Sequence, residues 1–526
     1  MEELKDSDLN QNNHLRIDTQ PHQQECNQFL SNYCDFQSPL KTEQSNLEIK
    51  PKKEVYTNEE MKKFTKQGIV SLVGGVLIHI ELGTFYVWAS ISPYVAAWMR
   101  IKDTTITHTS MSAVYPILGI ITMSFLSFGI KIAERVGFKF IIGCGSFILA
   151  LAFLIISFVQ DIQVFIAIYC IMVGISGGLL HMLPIICGLR YFPNKSGLVS
   201  GVIIGGYGFG SFIFNFVCKA IANPNNVQPS VEVIEDGKVV LYFDSEVGEK
   251  VPFMFQVLAI SYLGLGIIGT LMIRYPKDID PDKMLTTLEA LQPKKNKQFE
   301  DQLPTCIIPN RKECQSVTNG IKSKPFILLQ LIVLMSCTLG MMISNCYKFY
   351  GFELGFNDSL LTVLGSVGGV MNGSSRFFWV TLTEKTSFKF TFTIISFLNL
   401  ASSSILPYNT SGIGYLLIIG VIYLAEGGLL AIYPVVCAKI FGKKVGGVIN
   451  YFMYFMVGVS NMIGYILYAF VRNRIGWEGI FWVCFAINTL GIILGLFLKE
   501  SGYDWQDPQI RLKVQSGLQM QDNNKQ

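Results

Sequence analysis

Apolar runs of roughly twenty residues, almost free of charge, recur along this 526-residue chain. Each is long enough for a helix to cross the ~30 Å hydrocarbon core of a bilayer. They fall near 69–97, 111–132, 138–159, 163–187, 197–220, 253–274, 326–349, 359–382, 388–407, 413–437, 446–470 and 478–499. The pattern predicts an all-α polytopic membrane protein with 12 transmembrane helices in two six-helix bundles, at 67–274 and 325–499. Polar sequence frames the bundles. Residues 1–66, rich in Gln, Asn, Asp, Glu and Lys and without a signal-peptide-like run, read as a disordered tail. Residues 275–324 read as a solvated, basic linker and 500–526 as a second tail.

The two bundles echo each other at a constant offset. Gly177-Gly178-Leu179-Leu180 with Pro184 and Cys187 returns as Gly427-Gly428-Leu429-Leu430 with Pro434 and Cys437, and 427 − 177 = 250. Glu134-Arg135 with Phe138 and Lys139 returns as Glu384-Lys385 with Phe388 and Lys389, and 384 − 134 = 250. A duplicated half in a membrane protein is the mark of a transporter whose substrate site lies between the halves.

Composition adds the setting. A mean hydropathy of +0.40, with 15% charged residues against about 25% in soluble proteins, puts most of the chain in lipid. Lys50, Lys52, Lys53, Lys62, Lys63 and Lys66 precede the first run, and most remaining cations follow even-numbered runs. By the positive-inside rule both termini are expected in the cytoplasm, in the plasma membrane or an organelle membrane. Asn357 and Asn409 head glycosylation sequons on the opposite side. The bilayer is the expected partner, with no nucleic acid, and the chain is expected to be a monomer. Cysteines such as Cys144, Cys170 and Cys437 lie inside apolar runs as small hydrophobes, while Cys306 and Cys314 are too isolated for a metal site. No metal or cofactor is expected. Gly197, Gly201, Gly205, Gly206, Gly208 and Gly210 lack a preceding strand or phosphate-loop lysine and read as close helix packing.

Ionisable residues deep in lipid are costly and normally face a cavity. Five stand there: His79 and Glu81 in the first helix, His181 in the fourth, Arg376 in the eighth and Glu426 in the tenth. Arg376 offers a carboxylate two parallel hydrogen bonds and stays charged; the plain alternative is a side chain that snorkels to the cytoplasmic face. Asn372 lies one turn earlier on the same helix face, while Ser375 does not share it. Glu426 replaces Ser176 of the first half, and suits either a proton carrier or a fixed partner for Arg376. His181 matches Ala431; it is a proton-coupling candidate or a structural histidine bonded to a carbonyl. His79 and Tyr86, seven residues apart, share a face from which Glu81 points away. Tyr86, Tyr207, Tyr433 and Tyr454 are candidate cavity aromatics.

Twelve helices in two related halves, with Glu134-Arg135-Val136-Gly137-Phe138-Lys139 after the second, resemble the major facilitator superfamily. The resemblance implies the major facilitator fold over about 430 residues. It also implies a conformational latch at Glu134 and Arg135, although Ile130 and Phe138 depart from the motif and Ser387 erodes the second copy. Gly83-Thr84-Phe85-Tyr86-Val87-Trp88 with Pro93, Tyr191-Phe192-Pro193-Asn194-Lys195-Ser196-Gly197, and Asn372-Gly373-Ser374-Ser375-Arg376 with Trp379 are similar to the oxalate/formate antiporter family. That resemblance implies that Arg376 contacts a substrate carboxylate, and it favours the face of His79 and Tyr86 for the pathway. The family's oxalate exchanger also has a lysine in helix 11, where this chain has Gly458. A monocarboxylate is therefore the expected ligand. The expected function is secondary transport of a small organic anion by alternating access, with Arg376, Asn372, Tyr86 and Tyr433 for substrate and Glu426, His181 and His79 for protons. Anion exchange, with a counter-anion in place of protons, is the first alternative; a membrane receptor or scaffold that binds solute without moving it is the second. No nucleophile–base set points to an enzyme.

Overall fold

The computed structural model describes residues 55–500, apart from 236–237, 277–278, 281–282, 285, 289–313 and 315. Most of both expected tails, and the middle of the linker with Cys306, lie outside the described residues. Among the described residues twelve long helices follow in order. The first half has α1 (Asn58–Leu82, continuing past Gly83 as Thr84–Arg100), α2 (Val114–Val136), α3 (Phe138–Ile156), α4 (Ile162–Tyr191), α5 (Ser196–Ala222) and α6 (Val251–Met272). The second has α7 (Lys324–Glu353), α8 (Asp358–Lys385), α9 (Phe388–Ile405), α10 (Gly412–Phe441), α11 (Lys443–Ile466) and α12 (Arg472–Phe497).

Hydropathy and length alone pick out ten stretches. α8 escapes because Gly, Ser, Asn372 and Arg376 dilute it, and α11 and α12 run together as one 53-residue stretch. A single-turn π-helix, Leu467–Val471, separates those two, and Gly476 at φ 72° kinks the start of α12. α1 starts at Asn58, well before the expected 69, because Thr57 and Glu60 cap it reciprocally: Glu60 N donates to Thr57 Oγ1 (3.3 Å) and Thr57 N to Glu60 Oε2 (2.8 Å). The first part of the linker packs there too, with Tyr56 N donating to Thr287 Oγ1 at 2.9 Å.

The 250-residue offset is also the register of packing. In the first half Gly177 of α4 sits against Thr122 on α2; in the second Gly427 of α10 sits against Asn372 on α8. Thr122 and Asn372, like Gly177 and Gly427, are themselves 250 apart. Between the halves, Ser211 of α5 meets Gly369 of α8, and Asn461 of α11 meets Gly119 of α2. Those pairs exchange under the same offset. A methyl at residue 427 would run into the Asn372 carbonyl oxygen, whereas one at Gly205 meets nothing within 4 Å. Gly427→Ala is therefore expected to lower stability by about 1–3 kcal/mol, read as a lower melting temperature in detergent, and Gly205→Ala is expected to leave it unchanged.

Prolines inside spans free a carbonyl that lipid cannot satisfy. Ser92 Oγ donates to Ala89 O (3.4 Å), the carbonyl freed by Pro93. Tyr454 does the same for Leu430 O (3.5 Å), freed by Pro434. One element was not foreseen: a hairpin of β1 (Val231–Glu235) and β2 (Lys238–Tyr242) between α5 and α6, with Glu235 opposite Lys238. Alternating apolar residues around Asp236-Gly237 were the available signal.

Candidate functional site

A cavity of ≈ 80 Å³ lies between the halves. From the first half Tyr86, Tyr115, His181 and Tyr207 line it, and from the second Arg376, Glu426, Gly458 and Asn461. The rings of Tyr86 and Tyr207 meet edge to face at 5.5 Å, and Tyr86 and Tyr423 do so at 6.1 Å, so aromatic contacts bridge the halves.

α8 brings Arg376 and Asn372 together at i and i+4, as expected. An Arg376 Nη donates to Asn372 Oδ1 at 3.2 Å. Because that oxygen is occupied by a group that can only donate, the Asn372 amide nitrogen is left as a donor, and both it and Arg376 Nε are buried without a partner. The Tyr86 phenol faces the same pair. Glu426, only 1% exposed, stands on α10 with one carboxyl oxygen accepting from Ser344 Oγ (2.8 Å) and the other unpartnered. Arg376 and Glu426 share the cavity without an ion pair between them, so neither neutralises the other directly.

The remaining candidates are distributed differently. His181 lines the cavity; His79 is fully buried behind it, its ring nitrogens 3.0 Å from Gly75 O and 3.1 Å from His181 O. Only one of those contacts is a hydrogen bond while the ring is neutral. Glu81 points away as expected and accepts from Ser146 of α3. Ser375 turns to the Asn372 carbonyl, 3.0 Å away, off the Arg376 face. Tyr433 was expected on the pathway and is instead in the core of the second half, bonded to Ser336 (2.5 Å) beside Phe388. It shares a helix face with Glu426, but seven residues set it ~10 Å further along the axis, below the cavity. Glu134 and Arg135 are exposed at the end of α2, and among the described residues no ion pair joins either to a neighbouring helix. The structure thus brings no partner to the expected latch.

The sequence signature described as the Major Facilitator Superfamily matches residues 37–215. Helices of two related halves around a central cavity agree with it over the rest of the chain. Over those residues the chain matches the major facilitator superfamily, and both halves have its fold. Among its curated relatives are the apicoplast pyruvate carrier 1 of Toxoplasma gondii, 23% identical over 82% of this chain and 89% of that one, and the oxalate:formate antiporter of Oxalobacter formigenes, 21% identical over 65% and 70%. The fold is also that of the D-xylose–proton symporter (TM-score 0.56, 12% identity, 82% of this chain and 96% of that one). The inward-open xylose transporter of E. coli agrees similarly (TM-score 0.55, 13% identity, 83% and 95%). Signature, membrane-length helices and fold together mark a multi-pass membrane transporter rather than an enzyme.

The transporter also holds a site that sequence reasoning missed. At the end of the bundle where α1 finishes, Lys348 of α7 pairs with Asp358 of α8 at 2.6 Å, both side chains fully buried. The first half completes their coordination. Lys348 Nζ donates to Ser90 O (2.8 Å) and Tyr94 Oη (3.0 Å) of α1, while Tyr94 Oη (2.5 Å) and Asn223 Nδ2 of α5 (2.9 Å) donate to Asp358 Oδ2. Nearby, Asn345 donates to Ser112 O (2.8 Å) and Ser359 to Asn226 Oδ1 (2.7 Å). These bonds tie the two halves together at that end. Lys348 and Asp358 flank apolar runs and so look like interfacial charges; nothing in the sequence distinguished them from snorkelling ends.

Proposed function

We propose that this transporter carries a small organic anion, of monocarboxylate type, by alternating access through the cavity between its halves. The observation that carries the proposal is Arg376: a half-buried side chain whose buried Nε is free, beside an amide donor on Asn372 that is also free. A carboxylate supplies two acceptor oxygens in the geometry such a fork requires. Gly458 faces the same cavity and brings no second cation, which favours one carboxylate over two. Two relatives, a pyruvate carrier and an oxalate:formate antiporter, support a carboxylic acid as cargo.

Glu426 gives the proposal a coupling group. Two negative charges in a small, desolvated cavity repel strongly, so an arriving carboxylate favours a proton on Glu426, and a protonated Glu426 favours the carboxylate. His181 and His79 are the proton's possible relays toward the first half. The bonds around Lys348 and Asp358 close one end of the pathway in this conformation and separate when access switches. Cations before α1 support cytoplasmic termini.

The test is uptake of labelled formate, lactate, pyruvate and oxalate into proteoliposomes, with and without an imposed pH gradient. Inward acid-driven uptake is expected for a monocarboxylate. In Glu426→Gln the gradient is expected to lose its effect while exchange of internal for external substrate persists. Gradient-driven uptake that survives in Glu426→Gln would end the assignment of coupling to this residue. Because Glu426 already accepts from Ser344, anion exchange with a purely structural Glu426 is the second possibility, and it predicts no response to the gradient in either protein.

A further inference from the structure

We infer that Asn461 reads the group at C2 of the carried acid and favours a 2-hydroxy over a 2-oxo monocarboxylate; the inference rests on Arg376 holding the carboxylate. The repeat first draws attention to the position. Asn461 corresponds to Ser211, since 461 − 250 = 211, and both stand where an inter-half crossing meets a glycine. Ser211 satisfies itself within its own helix, its hydroxyl donating to Gly208 O at 3.0 Å. Asn461 instead reaches across the halves, its Nδ2 donating to Tyr115 O at 3.3 Å.

That bond fixes the amide. A main-chain carbonyl only accepts, so the nitrogen must face it and Oδ1 must face elsewhere. Asn461 is 3% exposed and lines the cavity, and its Oδ1 is buried without a partner. On α8 the polarity is reversed, because Arg376 and Asn372 both present free donors. The groups around the cavity therefore combine donors from one helix with a fixed acceptor from another, and its ≈ 80 Å³ suits an acid of about three carbons.

The complementary ligand accepts at one end and donates at the other. A carboxylate with a hydroxyl at C2 does so, its O–H donated to Asn461 Oδ1. A keto oxygen at C2 would set one acceptor against another and leave both unpaired, a penalty paid only by the 2-oxo acid. The hydroxyl of Tyr115 and a protonated Glu426 can turn to suit either ligand, so neither discriminates as Asn461 does.

The experiment measures inhibition constants of L-lactate and pyruvate against labelled lactate uptake in proteoliposomes, in the parent protein and in Asn461→Leu and Asn461→Ala. Leucine keeps the bulk and alanine relieves it, and monodispersity in detergent reports folding of each. In the parent, lactate is expected to bind about tenfold more tightly than pyruvate, and in a folded variant the gap is expected to close to about twofold or less. Equal affinity for the two acids in the parent, or a gap that survives either substitution, overturns the inference and leaves the carboxylate assignment standing. Failure of every acid to enter removes both.

Discussion

Arg376→Ala is expected to lower uptake of a short monocarboxylate by about a hundredfold or more. The residue offers two charge-assisted hydrogen bonds in a cavity where water competes weakly, each worth about 1.5–3 kcal/mol. Alanine removes both and leaves the anion facing Glu426 with no cation from α8. Arg376→Lys is expected to recover only part of the loss, since an ammonium keeps the charge but not the planar fork. Initial rates in proteoliposomes check this, with melting temperature in detergent as the control for folding. Because the Arg376 side chain bonds to Asn372 within its own helix, stability should change little. Transport at the parent rate in Arg376→Ala would show that the cargo is not held by this group.

Lys348→Met is expected to have the largest effect on stability. It strands Asp358 as an unpaired charge with no exposed surface, which costs about 3–5 kcal/mol in buried pairs. Asp358 keeps its bonds from Tyr94 and Asn223, so the loss falls toward the lower part of that range. Removing both charges, in Lys348→Met with Asp358→Asn, is expected to restore much of what either change alone loses. Melting temperatures of the four proteins form a double-mutant cycle that isolates the pair. Additive losses would mean that Lys348 and Asp358 act independently despite their 2.6 Å separation.

The architecture was legible because its signals are long. Each span repeats an apolar pattern over some twenty residues, and the offset between Gly177 and Gly427 proved to be a packing register as well as a sequence one. Within the cavity, Arg376, Asn372, Glu426, His181 and Tyr86 were all named from sequence, since an ionisable residue in lipid is conspicuous. Less conspicuous groups were lost. Asn461 is neutral and Lys348 stands at the end of its run, so only the fold shows that one faces a cavity and the other is sealed between halves. Tyr433 failed for a related reason: helical periodicity gives the face of a residue but not the depth at which a cavity begins. The early start of α1 was written in Thr57 and Glu60, a short capping signal overshadowed by the basic, polar stretch around it.

The two walls of the cavity differ in kind. Arg376, Glu426 and Asn461 all belong to the second half, whereas the first half contributes Tyr86, Tyr115, Tyr207 and His181. In the proposed cycle, the charged wall would keep its grip on the cargo as the halves part while the aromatic wall withdraws. The cargo would then travel as a passenger of one bundle, and the other would behave as a moving dielectric: present, it strips water and tightens every polar contact; absent, it lets solvent in to loosen them. Release would thereby be timed by rehydration of a single wall, with no need for either bundle to rebuild its own site.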